Sequence, residues 1–112
     1  MAARLATSIL VGALIRKAES EGGFAAVLAK GDENAGSVVV VLVERGADPQ
    51  LFERILQPGG DYSWQRSGAD SATQADVPAL VARRKRFDPD LWVLELDVPS
   101  RERFAAEMDG LN

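Results

Sequence analysis

Residues 37–44 read Ser-Val-Val-Val-Val-Leu-Val-Glu, and this stretch decides the fold. Side chains alternate across a strand, so Val38, Val40 and Leu42 take one face, and Val39, Val41 and Val43 take the other. Both faces are apolar. Such a strand belongs in the middle of a sheet, covered on both sides by helices or by a second subunit. Upstream, residues 24–30 read as its hairpin partner. The connection Gly31-Asp32-Glu33-Asn34-Ala35-Gly36 is polar and has glycine at both ends, as a hairpin loop should. Pairing Lys30 with Ser37 sets Phe24, Ala26 and Leu28 on one face with Val43, Val41 and Val39. Ala25, Val27 and Ala29 then share the other face with Leu42, Val40 and Val38.

Downstream, residues 50–57 and 62–66 read as a second hairpin across Pro58-Gly59-Gly60-Asp61. With Gln57 opposite Tyr62, Ile55 meets Trp64 and Glu53 meets Arg66, an apolar–aromatic pair and an opposite-charge pair. A helix over 6–21 precedes the first hairpin, with Thr7 or Ser8 as N-cap and Gly22-Gly23 as its stop. Its apolar residues spread around most of the circumference, which predicts burial on more than one side. Gly12 within it implies close packing on a neighbour, because glycine costs a helix about 1 kcal/mol against alanine. Residues 67–74 are small and polar and read as a mobile loop. A second helix starts near Asp76 with Pro78 in its first turn and runs to about Arg86. A fifth strand covers 91–98, with Trp92, Leu94, Leu96 and Val98 on one face. Ser100 caps a last helix that turns Phe104 and Met108 inward. The expected fold is α+β: one domain over 1–112, with a mainly antiparallel five-stranded sheet and three helices in the order α-β-β-β-β-α-β-α.

Composition narrows the chemistry. The chain has 112 residues, 46% of them hydrophobic, with a formal net charge of −4. There is no cysteine and no histidine. That excludes disulfides, thiolate nucleophiles, zinc knuckles, imidazole bases and Ser-His-Asp triads. The glycines match neither a P-loop nor a dinucleotide-binding turn. The apolar stretch 5–15 is ended at once by Arg16 and Lys17 and is too short to span a bilayer. The expectation is a cytoplasmic protein that does not engage membranes.

The candidate site is Arg83-Arg84-Lys85-Arg86-Phe87-Asp88-Pro89-Asp90-Leu91-Trp92. Arg83, Arg84, Lys85 and Arg86 could grip an anion. They equally oppose the negative end of a helix dipole, and Arg84 and Arg86 could pair with Asp88 and Asp90. Asp88 and Asp90 could hold a hard cation, but two carboxylates supply few ligands. Asp before proline also ends helices, and Asp88-Pro89-Asp90-Leu91 suits a type I turn closed by the Asp88 side chain. Asp32, Glu33 and Asp61 read as turn residues. Trp92, Phe24 and Trp64 read as core rather than as a ligand cage, and Trp64, beside a glycine turn, is also kept as a surface candidate. No catalytic residue, metal ligand or cofactor is assigned.

Several strings resemble one known family. They are Arg4-Leu5-Ala6-Thr7 with Ala13-Leu14-Ile15-Arg16, Glu21-Gly22-Gly23-Phe24-Ala25, Gly31-Asp32 with Ala35-Gly36, and Arg86-Phe87-Asp88-Pro89-Asp90-Leu91-Trp92. Together they are similar to the short, mainly alphaproteobacterial proteins grouped as domain of unknown function 1491. The resemblance covers most of the chain and implies a small stand-alone cytoplasmic protein, with no functional site to carry over. The leading expectation is a non-enzymatic interaction or accessory protein that self-associates and meets an unidentified protein partner. The alternative is a weak nucleic-acid or phosphate binder using residues 83–86, which the negative charge and the shortness of the run disfavour. A carboxylate-based hydrolase comes third, and would need Asp32, Glu33, Asp88 and Asp90 to cluster.

Overall fold

The structure, a computed structural model, describes residues 6–67 and 74–111. The Arg4-Leu5 start of the first family string and most of the expected loop over 67–74 lie outside the described residues. The elements follow the expected order: α1 (Thr7–Ser20), β1 (Phe24–Ala29), β2 (Val38–Glu44), β3 (Ala47–Leu56), β4 (Tyr62–Ser67), α2 (Val77–Phe87), β5 (Trp92–Val98) and α3 (Arg101–Met108). Short 3-10 turns precede α2 and follow α3. The five strands form one sheet in the order β1-β5-β2-β3-β4.

β2 lies at the centre and is covered on both faces, as its sequence requires. Val38, Val40 and Leu42 pack under α1 and α3 with Leu10, Leu14, Trp92, Leu94, Leu96, Phe104 and Met108. Val39, Val41 and Val43 pack with Val77 of α2, Leu91 and Val93. β5 divides its faces as its alternation predicts. Ser100 caps α3 by accepting from the Arg103 backbone N–H.

The first hairpin does not form. β5 is inserted between β1 and β2, antiparallel to β1 and parallel to β2. The sheet is therefore mixed. The physical reason lies in the two strands that compete for the central place. β5 buries Trp92, Val93, Leu94, Leu96 and Val98 on its two faces. β1 is half alanine, so it offers less surface to bury and packs a pleated face less well. The strand with more to bury takes the centre, and β1 moves to the edge.

The second hairpin forms with a register one residue away from expectation. Leu56 opposes Tyr62 and Arg54 opposes Trp64, so Ile55 meets Ser63 and Phe52 meets Arg66. The turn is longer than the four residues expected. Gln57 N–H donates to Asp61 O at 2.6 Å, and Gly60 carries the left-handed φ of 94° that closes it. A one-residue slip exchanges the faces of a strand. Here it sends Phe52 and Trp64 together into the core and leaves Ile55 outside. Between β2 and β3 the chain turns on Arg45 and Gly46 alone, both at positive φ, the requirement of a type I′ hairpin. β3 consequently begins at Ala47 rather than Gln50.

α1 differs from expectation in three respects. Its N-cap is Ala6, and neither Thr7 nor Ser8 caps it. The first N–H groups instead donate to carbonyls of the loop before β2: Thr7 N–H to Asn34 O and Ser8 N–H to Glu33 O. Its burial is one-sided, on Leu10, Val11, Leu14 and Ala18, with Ile9 exposed. Among the described residues, what lies nearest to Gly12 is not a neighbouring element. A Cβ there would meet only the Arg16 guanidinium, one turn along the same helix. The stop at Gly22-Gly23 is as expected. Gly22 N–H donates to Glu19 O and Gly23 N–H to Ala18 O, which is a Schellman motif.

Candidate functional site

Three of the strings that resemble the family meet at one corner: Thr7 at the start of α1, Gly31-Asp32 with Ala35-Gly36, and the Asp88–Trp92 segment. The loop 30–37 wraps the Asp88-Pro89-Asp90 turn. Asp32 N–H donates to Asp90 O at 3.0 Å, Trp92 N–H donates to Ser37 O at 2.8 Å, and Trp92 Nε1 donates to Asp32 O at 2.7 Å. Gly31 and Gly36 make this possible. A Cβ on either would lie 2.1 or 2.2 Å from the Asp90 carbonyl oxygen, so only glycine lets the loop approach so closely. The Asp32 carboxylate accepts from Asn34 and Ala35 N–H, at 3.1 and 2.8 Å, which holds the loop tip. Buried Thr7 donates its hydroxyl to Gly36 O at 3.0 Å and so ties α1 to the same loop.

Asp88 closes its turn as expected. Leu91 N–H donates to Asp88 O at 3.1 Å, and Asp90 N–H donates to Asp88 Oδ1 at 3.2 Å. The basic run before it divides into two pairs. Arg84 is ion-paired with Glu53 of β3 rather than with Asp88. Lys85 donates to Lys30 O at 2.6 Å and to Leu91 O at 3.0 Å, joining the C-terminus of α2 to both strands of the corner. Arg83 and Arg86 are exposed, and among the described residues Arg86 makes no ion pair with Asp88 or Asp90. The same residues contain no group of three or more Asp and Glu side chains placed to share a cation.

Trp64 is buried, not a surface residue. The register shift of β3 and β4 is the reason. Phe24 moves the other way: it was expected in the core and is 75% exposed on β1. Sequence reasoning missed this surface. With β1 at the edge, Phe24, Val27 and Leu28 all stand partly in solvent. Beside them a mostly apolar groove of about 610 Å³ runs between β1 and α2, lined by Leu28, Ala29, Val77, Pro78, Val81 and Ala82 and by the charged Lys85 and Glu95. A smaller recess of about 150 Å³ borders the corner, where Arg54 stacks on the Tyr62 ring at 3.8 Å beside Thr7, Asn34 and Gly36. The signal for the edge surface was available in the low strand preference of Ala25, Ala26 and Ala29.

Fold and surface define a small α+β protein with a mixed sheet, a tightly bonded polar corner and one apolar sheet edge. The chain belongs to the family described as "Protein of unknown function (DUF1491)", whose model matches residues 5–106. It is similar to a DUF1491 family protein from Caulobacter crescentus CB15 known from a crystal structure, at 38% identity and a TM-score of 0.79, over 90% of this chain and 94% of that one. An NMR structure of a DUF1491 family protein from the same organism gives 37% identity and a TM-score of 0.77, over 92% and 94%. Protein Atu0922 from A. tumefaciens, in solution, is 31% identical with a TM-score of 0.75, over 91% and 92%. Comparison with curated proteins finds no match.

Proposed function

We propose that this chain is a small cytoplasmic interaction protein that acts by self-association through its apolar sheet edge rather than by catalysing a reaction. The observation that carries the reading is β1. It is bonded to β5 on one side only among the described residues, and it carries three partly exposed apolar side chains beside an apolar groove. An edge strand without charge or proline is an open template for pairing, and a contiguous apolar surface on a small protein marks an interface. The corner supports the same reading. The Asp32 and Asp88 carboxylates close turns, Arg84 pairs with Glu53 and Lys85 donates to backbone carbonyls, which fits a part that holds the sheet in shape. No helix among the described residues is long and apolar enough to cross a membrane.

The phosphate-binding alternative draws on Arg83 and Arg86, which remain exposed. Two cations release few counterions, so binding would be weak and would fall with salt. Sedimentation velocity across the micromolar range, at low and at about 0.5 M salt, tests the proposal. Apolar association persists at the higher salt, where screening is nearly complete. A monomer at every concentration overturns it. Submicromolar binding to RNA or DNA near physiological salt would favour the alternative.

A further inference from the structure

We infer that the occupant of the β1 edge is β1 of a second copy, paired antiparallel about a two-fold axis through Ala26. This rests on the reading of self-association and names its geometry.

A two-fold axis perpendicular to the sheet keeps each face on its own side, so residues that oppose each other must share a face. On β1, Phe24 and Ala26 oppose Asp97 and Glu95, on the side of α2, whereas Ala25 and Val27 oppose Leu96 and Leu94, on the side of α1. The bulge between Val27 and Ala29 leaves Leu28 without a partner on β5, and Leu28 lines the groove on the α2 side. The axis must therefore pass through a residue. Centred on Ala25, it would set Phe24 against Ala26 and Val27 against Gly23. Centred on Val27, it would set Phe24 against Lys30.

Centred on Ala26, each exposed apolar side chain meets an apolar one. Phe24 opposes the partner's Leu28 and Val27 opposes the partner's Ala25. Phe24, 75% exposed in the single chain, then projects into the groove walled by the partner's Val77, Pro78 and Val81. The groove accepts an aromatic ring, and the contact is isologous, so it occurs twice. This register leaves charge at the rim: Lys30, exposed at the end of β1 and 3.8 Å from Glu33, arrives opposite the partner's Gly22. Small Ala26 residues at the axis let the two strands approach. The product is a ten-stranded sheet whose open backbone N–H and C=O groups along both β1 edges are paired.

The chain has no cysteine, so one introduced thiol is unique. The test uses the full chain, Phe24→Glu, and the single variants Ala26→Cys and Gly59→Cys. Ala26 and Phe24 are exposed and Gly59 is open to solvent, so folding should be preserved; circular dichroism checks this. Concentration is varied from roughly 10 µM to 1 mM, the range for a contact below standard interface size. The expected result is a monomer–dimer equilibrium that Phe24→Glu weakens at least about tenfold, because it places a carboxylate in the apolar groove. A bismaleimide with a two-carbon spacer should join Ala26→Cys chains into dimers and leave Gly59→Cys chains monomeric. If the wild type dimerises but Phe24→Glu does so equally well, or Ala26→Cys fails to cross-link, this register is wrong while self-association stands. If the wild type remains monomeric to 1 mM, both fall, and the edge serves a strand of another protein.

Discussion

At the scale of single residues, the corner makes the sharpest demands. Gly31 and Gly36 both face the Asp90 carbonyl, and the atom in the way belongs to backbone. Gly31→Ala and Gly36→Ala must push β5 and the loop apart, and each should cost more than about 2 kcal/mol in denaturant unfolding. Gly12→Ala should do the reverse. Its new Cβ meets only the movable end of Arg16, so the variant should gain up to about 1 kcal/mol from helix propensity. At the turn, Asp88→Asn keeps the acceptor for Asp90 N–H and should cost little, whereas Asp88→Ala should cost on the order of 1 kcal/mol. Neither Mg²⁺ nor Ca²⁺ should change these values; a stabilisation by either ion that Asp88→Asn removes would make the corner a metal site. The Asp88 turn was legible in the sequence because its chemistry is local: an acidic residue, a proline and the two positions after it settle it. The roles of Gly31 and Gly36 were not legible, because the carbonyl they admit lies more than fifty residues away. Trp64 was misplaced for a related reason. Its face depends on the length of the turn at Gly60, which composition does not fix.

At the scale of elements, α1 and α3 are joined across the core by one cation. Lys17 Nζ lies 2.8 Å from both Glu21 and Glu107, and 5.4 Å from the centroid of the Phe104 ring. The hydrogen bonds that Lys17 donates to Glu107 and then to Glu21 raise its pKa above the usual 10.5. The hydrogen bond from Lys17 lowers that of Glu107 below 4.5. A lowered carboxylate pKa adds stability that is complete above its unfolded value and is lost as pH falls through the folded value. A raised lysine pKa adds stability that is complete below 10.5 and is lost as pH climbs through the folded value. The wild type should therefore lose part of its stability at each extreme, and Glu107→Gln should flatten both limbs of a plot of unfolding midpoint against pH. A variant curve parallel to that of the wild type would show that the cluster is only a surface contact. The faces of β2, β5 and α3 were legible because their alternation repeats over several residues. The pairing of β1 was not. A polar loop with glycine at both ends specifies that the chain returns, and the return of β2 is antiparallel to β1 as expected. It does not specify whether another strand enters between them. That outcome is set by comparison of β1 with β5, two segments far apart in sequence.

At the scale of the whole molecule, the sheet is unequally protected. β2 and β5 are paired on both sides and covered on both faces, so their amides should open only with global unfolding and exchange most slowly with solvent. Among the described residues β1 has one neighbour, a bulge and mostly exposed side chains, so in dilute solution those of its amides that point away from β5 should exchange within the time of a manual experiment. The paired edge proposed above changes this expectation in a definite way. Raising the protein concentration into the range where the dimer fills should slow exchange at alternate positions between Phe24 and Val27. Exchange at the β4 edge, in Tyr62–Ser67, should stay the same. A contact through α2 or the basic run would slow exchange elsewhere, and a non-specific apolar contact would slow it broadly. High salt should leave the concentration-dependent protection of β1 intact, since two backbones and a pair of phenylalanines form the contact and the chain carries a net charge of only −4. Protection that appears at β4 and not at β1 would move the interface to the opposite edge of the sheet, and protection that vanishes with salt would place the contact among the charges instead.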